Sequence, residues 1–191
     1  MTLVVAVKDP ITETIWIASD WRTSANDKIF SDETEKLRML KNNIIVWQCG
    51  FVSYRELCLE WVKHPKDLTH KELVRRREGC FRIAKSHPTA NHDEIKKGDS
   101  GSGWLFVKWW EIVELDPYWC ILRYSDSCAI GSGSQQWQVL LDRIREDSDS
   151  CIDRENELER LYEIVKRRNS TIGSISQLYS ISKSWKITEY L

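Results

Sequence analysis

The sequence has no long hydrophobic run, and none approaches the roughly eighteen apolar residues that a membrane-spanning helix requires. The first apolar stretch, residues 3–7, ends at Lys8, Asp9 and Pro10. It also lacks the basic flank and the small-residue cleavage site of a secretory signal. We therefore expect a soluble protein with no membrane partner, in which this stretch is a strand.

Paired cysteines and an excess of charge are missing as well. The six cysteines include no Cys-x-x-Cys pair, which argues against a zinc site and a small disulfide framework. We expect free thiols in a reducing cytoplasm, with no metal or cofactor. The 28 basic and 29 acidic residues leave a net charge of -1, so no overall field attracts nucleic acid.

The length of 191 residues is enough to bury one substantial core. No repeat, linker or low-complexity segment divides the sequence, so residues 1–191 are predicted to form a single domain. The chain is rich in tryptophan, with ten residues. Such large amphipathic rings fill cores or anchor interfaces, and both interpretations stay open.

Alternating apolar residues predict three hairpins. The first joins residues 3–7 to residues 15–18. The second joins residues 36–40 to residues 44–47, and the third joins residues 104–115 to residues 118–124 around Asp116 and Pro117. Further strands are expected over residues 174–181 and 185–190.

Apolar residues at helical spacing predict four helices, over residues 52–63, 71–85, 135–145 and 153–168. A polar, turn-rich loop is expected over residues 86–103. The order is strands, two helices, strands, two helices, strands, which places helices outside stacked sheets. We predict an α+β fold, a four-layer αββα sandwich.

Thr2 follows the initiator methionine and is small enough for methionine aminopeptidases to remove Met1. Removal leaves a free α-amine on Thr2 with an ordinary pKa near 7.7–8.0, so it can accept a proton from the neighbouring hydroxyl. Thr2 then carries a nucleophile and a base together.

Two further motifs follow Thr2. Asp20 lies in the sequence Ser19-Asp20-Trp21-Arg22 at the end of the second predicted strand, and Lys36 opens the next hairpin. With Thr2 they resemble the catalytic β-subunits of the proteasome and their bacterial, HslV-like relatives. In that family an N-terminal Thr, a strand-end Asp and a Lys beginning the next strand form the site.

The resemblance extends along nearly the whole chain and is least clear around residues 65–103. Gly50 falls where the family has the glycine whose backbone N–H forms the oxyanion hole. Ser132, in Gly131-Ser132-Gly133, matches the supporting serine before a helix. Before the last long strand the family has an Asp and, three residues later, a Ser, whereas this chain has Asn169 and Ile172. Asn169 brings no charge and Ile172 no hydroxyl.

The resemblance implies an N-terminal-nucleophile threonine peptidase in a ring-shaped homo-oligomer that acts on polypeptides, with any unfoldase partner unidentified. Lys36, paired with Asp20, would polarise the Thr2 hydroxyl or accept its proton, so either amine remains a candidate base. Gln48, Val52 and Glu56 would lie towards the side-chain pocket, and Glu56 favours basic residues. Two alternatives remain: a catalytically weak or inactive ring subunit, and an amidase or amide ligase acting on a non-protein substrate.

Three other motifs are interpreted as features without catalytic function. Residues 98–103 superficially match the nucleophile motif of trypsin-like proteases but lack the accompanying histidine and aspartate motifs, so we expect a flexible loop. His87 and His92 lack metal-ligand spacing. The basic run Arg75-Arg76-Arg77 is interpreted as a solvated helix face, with an acidic partner as the alternative.

Overall fold

The structure is a computed structural model that describes residues 3–20, 22–25, 28–31, 35–40, 43–48, 68–86, 93, 103–116, 118–131, 133–147, 154–170, 172–184 and 186–190. The predicted helix over residues 52–63 and most of the predicted loop over residues 86–103 lie outside these ranges. So do the motif over residues 98–102, His87 and His92. Of the site residues predicted from the sequence, Thr2, Gly50 and Ser132 also lie outside them.

The described residues contain twelve strands and three helices. The strands are β1 (Leu3–Asp9), β2 (Thr14–Asp20), β3 (Thr23–Ala25), β4 (Lys28–Ser31), β5 (Arg38–Leu40), β6 (Ile44–Gln48), β7 (Trp104–Lys108), β8 (Glu111–Leu115), β9 (Ile121–Tyr124), β10 (Ser127–Gly131), β11 (Ile175–Ser182) and β12 (Ile187–Glu189). The helices are α1 (His70–Ser86), α2 (Ser134–Asp147) and α3 (Arg154–Arg168).

The chain divides into two compact units, of which the first comprises residues 1–37 and 124–191. Its main sheet has the order β10-β1-β2-β11-β12, with antiparallel pairing throughout. The predicted hairpin over residues 3–18 is confirmed as β1 and β2. The predicted strand over residues 174–181 is β11, and β12 is the shorter form of the last predicted strand.

Helices α2 and α3 supply the core of this first unit. Alternate residues of β1 point to one face of the sheet, and Leu3, Val5 and Val7 pack there with Trp137 from α2 and Tyr162 from α3. All five residues are at most 2% exposed. The helices predicted over residues 135–145 and 153–168 are therefore confirmed as amphipathic elements that bury one stripe.

The second unit, residues 38–123, has a sheet in the order β5-β6-β7-β8-β9. Its core joins α1 to this sheet through Leu73, Cys80, Trp104 and Phe106, among others. Thr69 caps α1, because its hydroxyl accepts a hydrogen bond from the Glu72 N–H (3.4 Å). The second predicted hairpin and the helix predicted over residues 71–85 are confirmed.

The third predicted hairpin needs a correction. Residues 104–115, taken as one arm, form two antiparallel strands, β7 and β8, with a turn at Trp109 and Trp110. Trp109 takes a positive φ of 59°, which is uncommon for a non-glycine residue. The apolar run conceals this turn because it contains no glycine, proline or asparagine. The expected turn at Asp116 is also present, with the Tyr118 and Cys120 N–H groups donating to the Asp116 carboxylate at 2.8 Å.

Strands β3, β4 and β10 were not predicted, and β10 lies at the edge of the first sheet beside β1. Three tryptophans, Trp47, Trp104 and Trp137, are at most 1% exposed, so these three fill cores. None of the described helices is long and apolar enough to cross a membrane. The single-domain prediction stays a prediction.

Candidate active site

Asp20, the last residue of β2, is a fully buried carboxylate with 0% exposure. Its Oδ1 accepts hydrogen bonds from the Leu3 N–H (2.9 Å) and from the Lys36 ammonium (2.6 Å). Its Oδ2 accepts one from the Gly173 N–H (2.9 Å). A buried charge is stable only when it is paired and hydrogen-bonded, so Asp20 joins three separate segments at one point.

Lys36 is the cation of this pair. It lies two residues before β5 and is 3% exposed, and its Nζ donates to Asp20 Oδ1 and to the Arg22 carbonyl, both at 2.6 Å. The ion pair that the sequence predicts between Lys36 and Asp20 is present. Both hydrogen bonds hold the ammonium at the end of β2 where β1 begins.

The Leu3 nitrogen belongs to the peptide bond between residues 2 and 3, so Asp20 binds the chain directly after Thr2. One carboxylate oxygen, Asp20 Oδ1, connects this nitrogen to the Lys36 ammonium. Leu3 is also paired with Gly131 of β10, and Gly131 has a φ of 104°, which favours glycine. The predicted site residue Ser132 follows Gly131 directly in the chain.

Asn169 lies in the turn after α3, where its carbonyl accepts a hydrogen bond from the Ile172 N–H (3.1 Å). Arg22 binds the same turn, because its Nη1 donates to the Ser170 carbonyl at 2.8 Å and to the Ile172 carbonyl at 3.4 Å. Gly173 follows, where a Cβ would lie 3.2 Å from the Arg22 Cβ. The turn therefore contacts both Arg22 and Asp20.

Ile172 stands where the resemblance predicts a serine, and its side chain lies in an apolar core. It is 0% exposed and belongs to the core cluster that contains Leu3, Tyr162 and Val165. Ile172 thus packs in the same core as Leu3 of β1 and has no side-chain group that forms a hydrogen bond.

Sequence reasoning missed Tyr162 as a polar member of the site, because its position fits the apolar stripe of α3. Its hydroxyl lies 2.9 Å from the Leu3 carbonyl oxygen and 3.0 Å from the Ala18 carbonyl oxygen. Burial, and secondarily the Asp20 carboxylate, raise the pKa of Tyr162 well above its ordinary value. Tyr162 is therefore a neutral hydrogen-bond donor that lies between the start of β1 and the last residues of β2.

Gln177 of β11 was also missed. It is 6% exposed and its amide binds the backbone of Lys36 and Leu37. The only sequence signal is a long polar side chain in the alternation of residues 174–181. Its polar side chain is therefore buried beside the Asp20–Lys36 pair.

The basic run on α1 is not one solvated face. Arg75 and Arg76 pair with Glu72, whereas Arg77 is 1% exposed and donates to the Asp116 carbonyl (2.7 Å). Its guanidinium lies 4.8 Å from the Trp119 ring centroid. Within the described ranges, no three His, Cys, Asp or Glu side chains form a group that could hold a metal ion.

This arrangement gives a positively charged amine, neutralised by one carboxylate, beside the first residues of β1. A lysine in this place can stabilise a nearby oxyanion when its amine is protonated. When the amine is neutral, it can accept a proton. Residue 2 directly precedes Leu3, whose N–H shares the Asp20 carboxylate oxygen with this ammonium.

No protein-family model matches the sequence, and no curated protein is found as a relative. Solved structures do match. HslV from Trypanosoma brucei has 15% identity and a TM-score of 0.66 and covers 98% of this chain and 99% of its own. BPH from Thiobacillus denitrificans has 16% identity, a TM-score of 0.69 and coverage of 99% and 98%. BPH in complex with epoxomicin has 15% identity, a TM-score of 0.70 and coverage of 98% of each chain.

These matches span almost the whole of each chain and confirm the predicted α+β class with its antiparallel sheets and flanking helices. At such low identity a structural match establishes the fold alone. The chain has the fold of HslV and BPH, the HslV- and proteasome-like N-terminal-nucleophile fold.

Proposed function

We propose that this protein is a threonine-type peptidase in which Thr2, exposed by removal of Met1, is the nucleophile. The observation that carries the proposal is the position of Asp20, whose Oδ1 binds both the Leu3 N–H and the Lys36 ammonium. This bridge links the buried Lys36 ammonium to the backbone nitrogen of Leu3, the residue that follows Thr2. An N-terminal threonine is activated by an adjacent base, which can be its own α-amine or a neighbouring lysine.

The proposed reaction has two stages. The Thr2 hydroxyl attacks the carbonyl carbon of a peptide bond while its proton passes to the Thr2 α-amine or to Lys36. The C–N bond then breaks, the proton goes to the leaving amine, and an ester joins the substrate acyl group to Thr2. Water activated by the α-amine hydrolyses this ester.

Gly50 and Ser132 complete the proposed site. The Gly50 N–H would donate to the oxyanion of the tetrahedral intermediate, and removing one such donor typically costs about 2.7–4 kcal/mol of transition-state stabilisation. Ser132, next to Gly131 opposite Leu3, would support the nucleophile. Asn169 stands at the position of the family's Asp and contributes no charge.

We also propose a ring-shaped homo-oligomer whose substrates are polypeptides, with a pocket near Gln48, Val52 and Glu56 that favours basic side chains. Glu56 supplies the negative charge for this preference. Native mass spectrometry should give a multiple of the chain mass. A monomer at every concentration would contradict the ring.

One specific observation favours a second candidate, a ring subunit with little or no activity. Ile172 is fully buried and has no hydroxyl to orient the Thr2 amine, and Asn169 lacks the charge of the family's Asp. An amidase or amide ligase with a non-protein substrate is the remaining alternative. All three share the fold, so chemistry must separate them.

Intact-mass measurement combined with epoxomicin labelling makes this separation. Epoxomicin is a peptide epoxyketone, which needs both the hydroxyl and the free amine of an N-terminal threonine. A peptidase should lose the mass of Met1, gain one inhibitor mass, and cleave fluorogenic peptides. The Thr2→Ala variant should do neither of the last two.

Thr14→Ala is the matched control, because Thr14 begins β2 at the end opposite Asp20 and its hydroxyl binds only locally, to the Thr12 carbonyl. It should be labelled at the rate of the unmodified protein. Assembly without labelling would support the structural subunit. Labelling without cleavage of peptides or unfolded polypeptide would support the amidase or ligase.

A further inference from the structure

Gln177 lies at an irregularity in β11. Ile175 pairs with Asp20 and Gln177 pairs with Ser19, so the register shifts between them and Ser176 is an extra residue opposite β2. Such bulges re-aim a side chain and are common beside functional sites. Here the bulge stands directly opposite the strand end that carries Asp20.

The Gln177 side chain makes four hydrogen bonds. Its Oε1 accepts from the backbone N–H groups of Lys36 (2.7 Å) and Leu37 (2.8 Å) and from the Ser19 hydroxyl (3.2 Å). Its Nε2 donates to the Leu37 carbonyl (3.2 Å). Only an oxygen can accept from two N–H groups, so these bonds also fix which way the amide faces.

The segment held in this way lies outside the described strands. Residues 35–37 lie between β4 and β5, and the Gln177 amide binds the backbone N–H groups of Lys36 and Leu37 there. Two successive N–H groups that converge on one oxygen set the direction in which the lysine side chain leaves the backbone. From that point its Nζ reaches Asp20 and the Arg22 carbonyl.

We propose that Gln177 is a positioning residue, which acts through the backbone of Lys36 to aim the Lys36 ammonium at the reacting end of Thr2. This role rests on the proposed peptidase function. A displacement of about 1 Å can lower a rate about 100-fold, so the amide matters even though it does not touch the substrate.

The test compares four forms of the full-length protein. Gln177→Met keeps the side-chain length and removes all four hydrogen bonds, whereas Gln177→Glu keeps an acceptor for the two N–H groups. Ser176→Ala is the matched control, because Ser176 belongs to the same bulge and is 3% exposed, but its hydroxyl binds the Ser19 carbonyl (3.0 Å) and not residues 36–37.

For Gln177→Met we expect kcat for a fluorogenic peptide to fall about 10- to 100-fold, with KM within about twofold of that of the unmodified protein. Gln177→Glu should lose less of kcat than Gln177→Met, because it keeps the acceptor for the two N–H groups, and Ser176→Ala should leave kcat unchanged. Amide hydrogen exchange should accelerate at Lys36 and Leu37 in Gln177→Met but not in Ser176→Ala.

Each contrary result has one meaning. Normal kcat in Gln177→Met overturns the positioning role and leaves the peptidase proposal standing. Slow exchange at both amides in Gln177→Met overturns the hydrogen-bonded support itself. An unmodified protein that neither cleaves peptides nor reacts with epoxomicin overturns the peptidase proposal and the positioning role together.

Discussion

The Ile172 side chain occupies the space that a Cβ on Gly133 would need. The nearest atom to that Cβ position is Ile172 Cδ1, and Val165 Cγ1 lies 3.0 Å and Leu3 Cδ1 3.5 Å from it. Ile172 is on the turn before β11, and Gly133 is just before α2. Glycine therefore lets two loops close over Leu3 at the start of β1.

Gly133→Ala should lower the free energy of unfolding by about 1–3 kcal/mol, because the added methyl group overpacks a filled core. The nearest obstacle is Ile172 Cδ1, which Ile172→Val removes. The double variant Gly133→Ala/Ile172→Val should therefore be more stable than the sum of the two single changes predicts. Urea unfolding of all four proteins measures this coupling, and strict additivity would contradict the packing relationship.

The buried Arg77 and the exposed Arg75 should respond differently to substitution. Arg77→Met removes a charge-assisted hydrogen bond to the Asp116 carbonyl and the contact with Trp119, so we expect a loss of about 1–3 kcal/mol. Arg75, which has a side chain 53% exposed, should lose less than about 0.5 kcal/mol as Arg75→Met. Thermal unfolding checks the difference. Equal losses would show that Arg77 stabilises the fold no more than a solvated arginine does.

Much of this fold is predictable from the sequence because its elements are strongly periodic. Strands β1 and β2 alternate or run apolar between clear turn residues, and α2 and α3 each keep one apolar stripe. Strand β10 was missed because Gly131-Ser132-Gly133 indicates a turn, whereas the pairing that makes β10 a strand comes from β1, more than 100 residues away in the chain. Nonlocal pairing leaves little local signal.

The site divides in the same way. The pair formed by Asp20 and Lys36 was predictable because the resemblance names both residues as partners in one site. Gln177 was not, because its role depends on a bulge and on the backbone of a segment some 140 residues earlier. Trp109 shows a third limit, since a tryptophan takes a positive φ of 59°, a conformation that local preference favours for glycine.

Breaking the Asp20–Lys36 pair from one side should be more harmful than removing both charges. Asp20→Asn leaves a buried ammonium, and Lys36→Met leaves a buried carboxylate, so each should lose about 3–5 kcal/mol. In the double variant no charge is stranded, and the loss should be smaller than the sum. A double-mutant cycle from urea unfolding measures the coupling, and additive losses would contradict a tightly paired site.

Buried tyrosine makes the fold sensitive to alkali. The pKa of Tyr162 is raised well above its ordinary value by burial and by Asp20, so between pH 10 and its folded pKa only the unfolded chain releases this proton. Stability contributed by the neutral phenol is complete below about pH 10 and is lost as pH rises further. One such group adds a slope of up to about 1.4 kcal/mol per pH unit.

Tyr162→Phe should therefore be less stable near neutral pH, by about 1 kcal/mol for the lost hydrogen bonding, yet lose stability less steeply above pH 10. Tyr179→Phe is the comparison, since burial, and secondarily Glu189, raise the pKa of Tyr179 to about 12 but its ring is only partly buried. Both phenols stay largely protonated in the folded protein up to about pH 11, so Tyr179→Phe should flatten the slope by a similar amount. Urea unfolding at several values between pH 8 and about pH 11 measures both slopes. An unchanged slope in Tyr162→Phe would show that this phenol ionises as readily in the folded protein as in the unfolded chain, and that its contact with the Leu3 and Ala18 carbonyls does not keep it neutral.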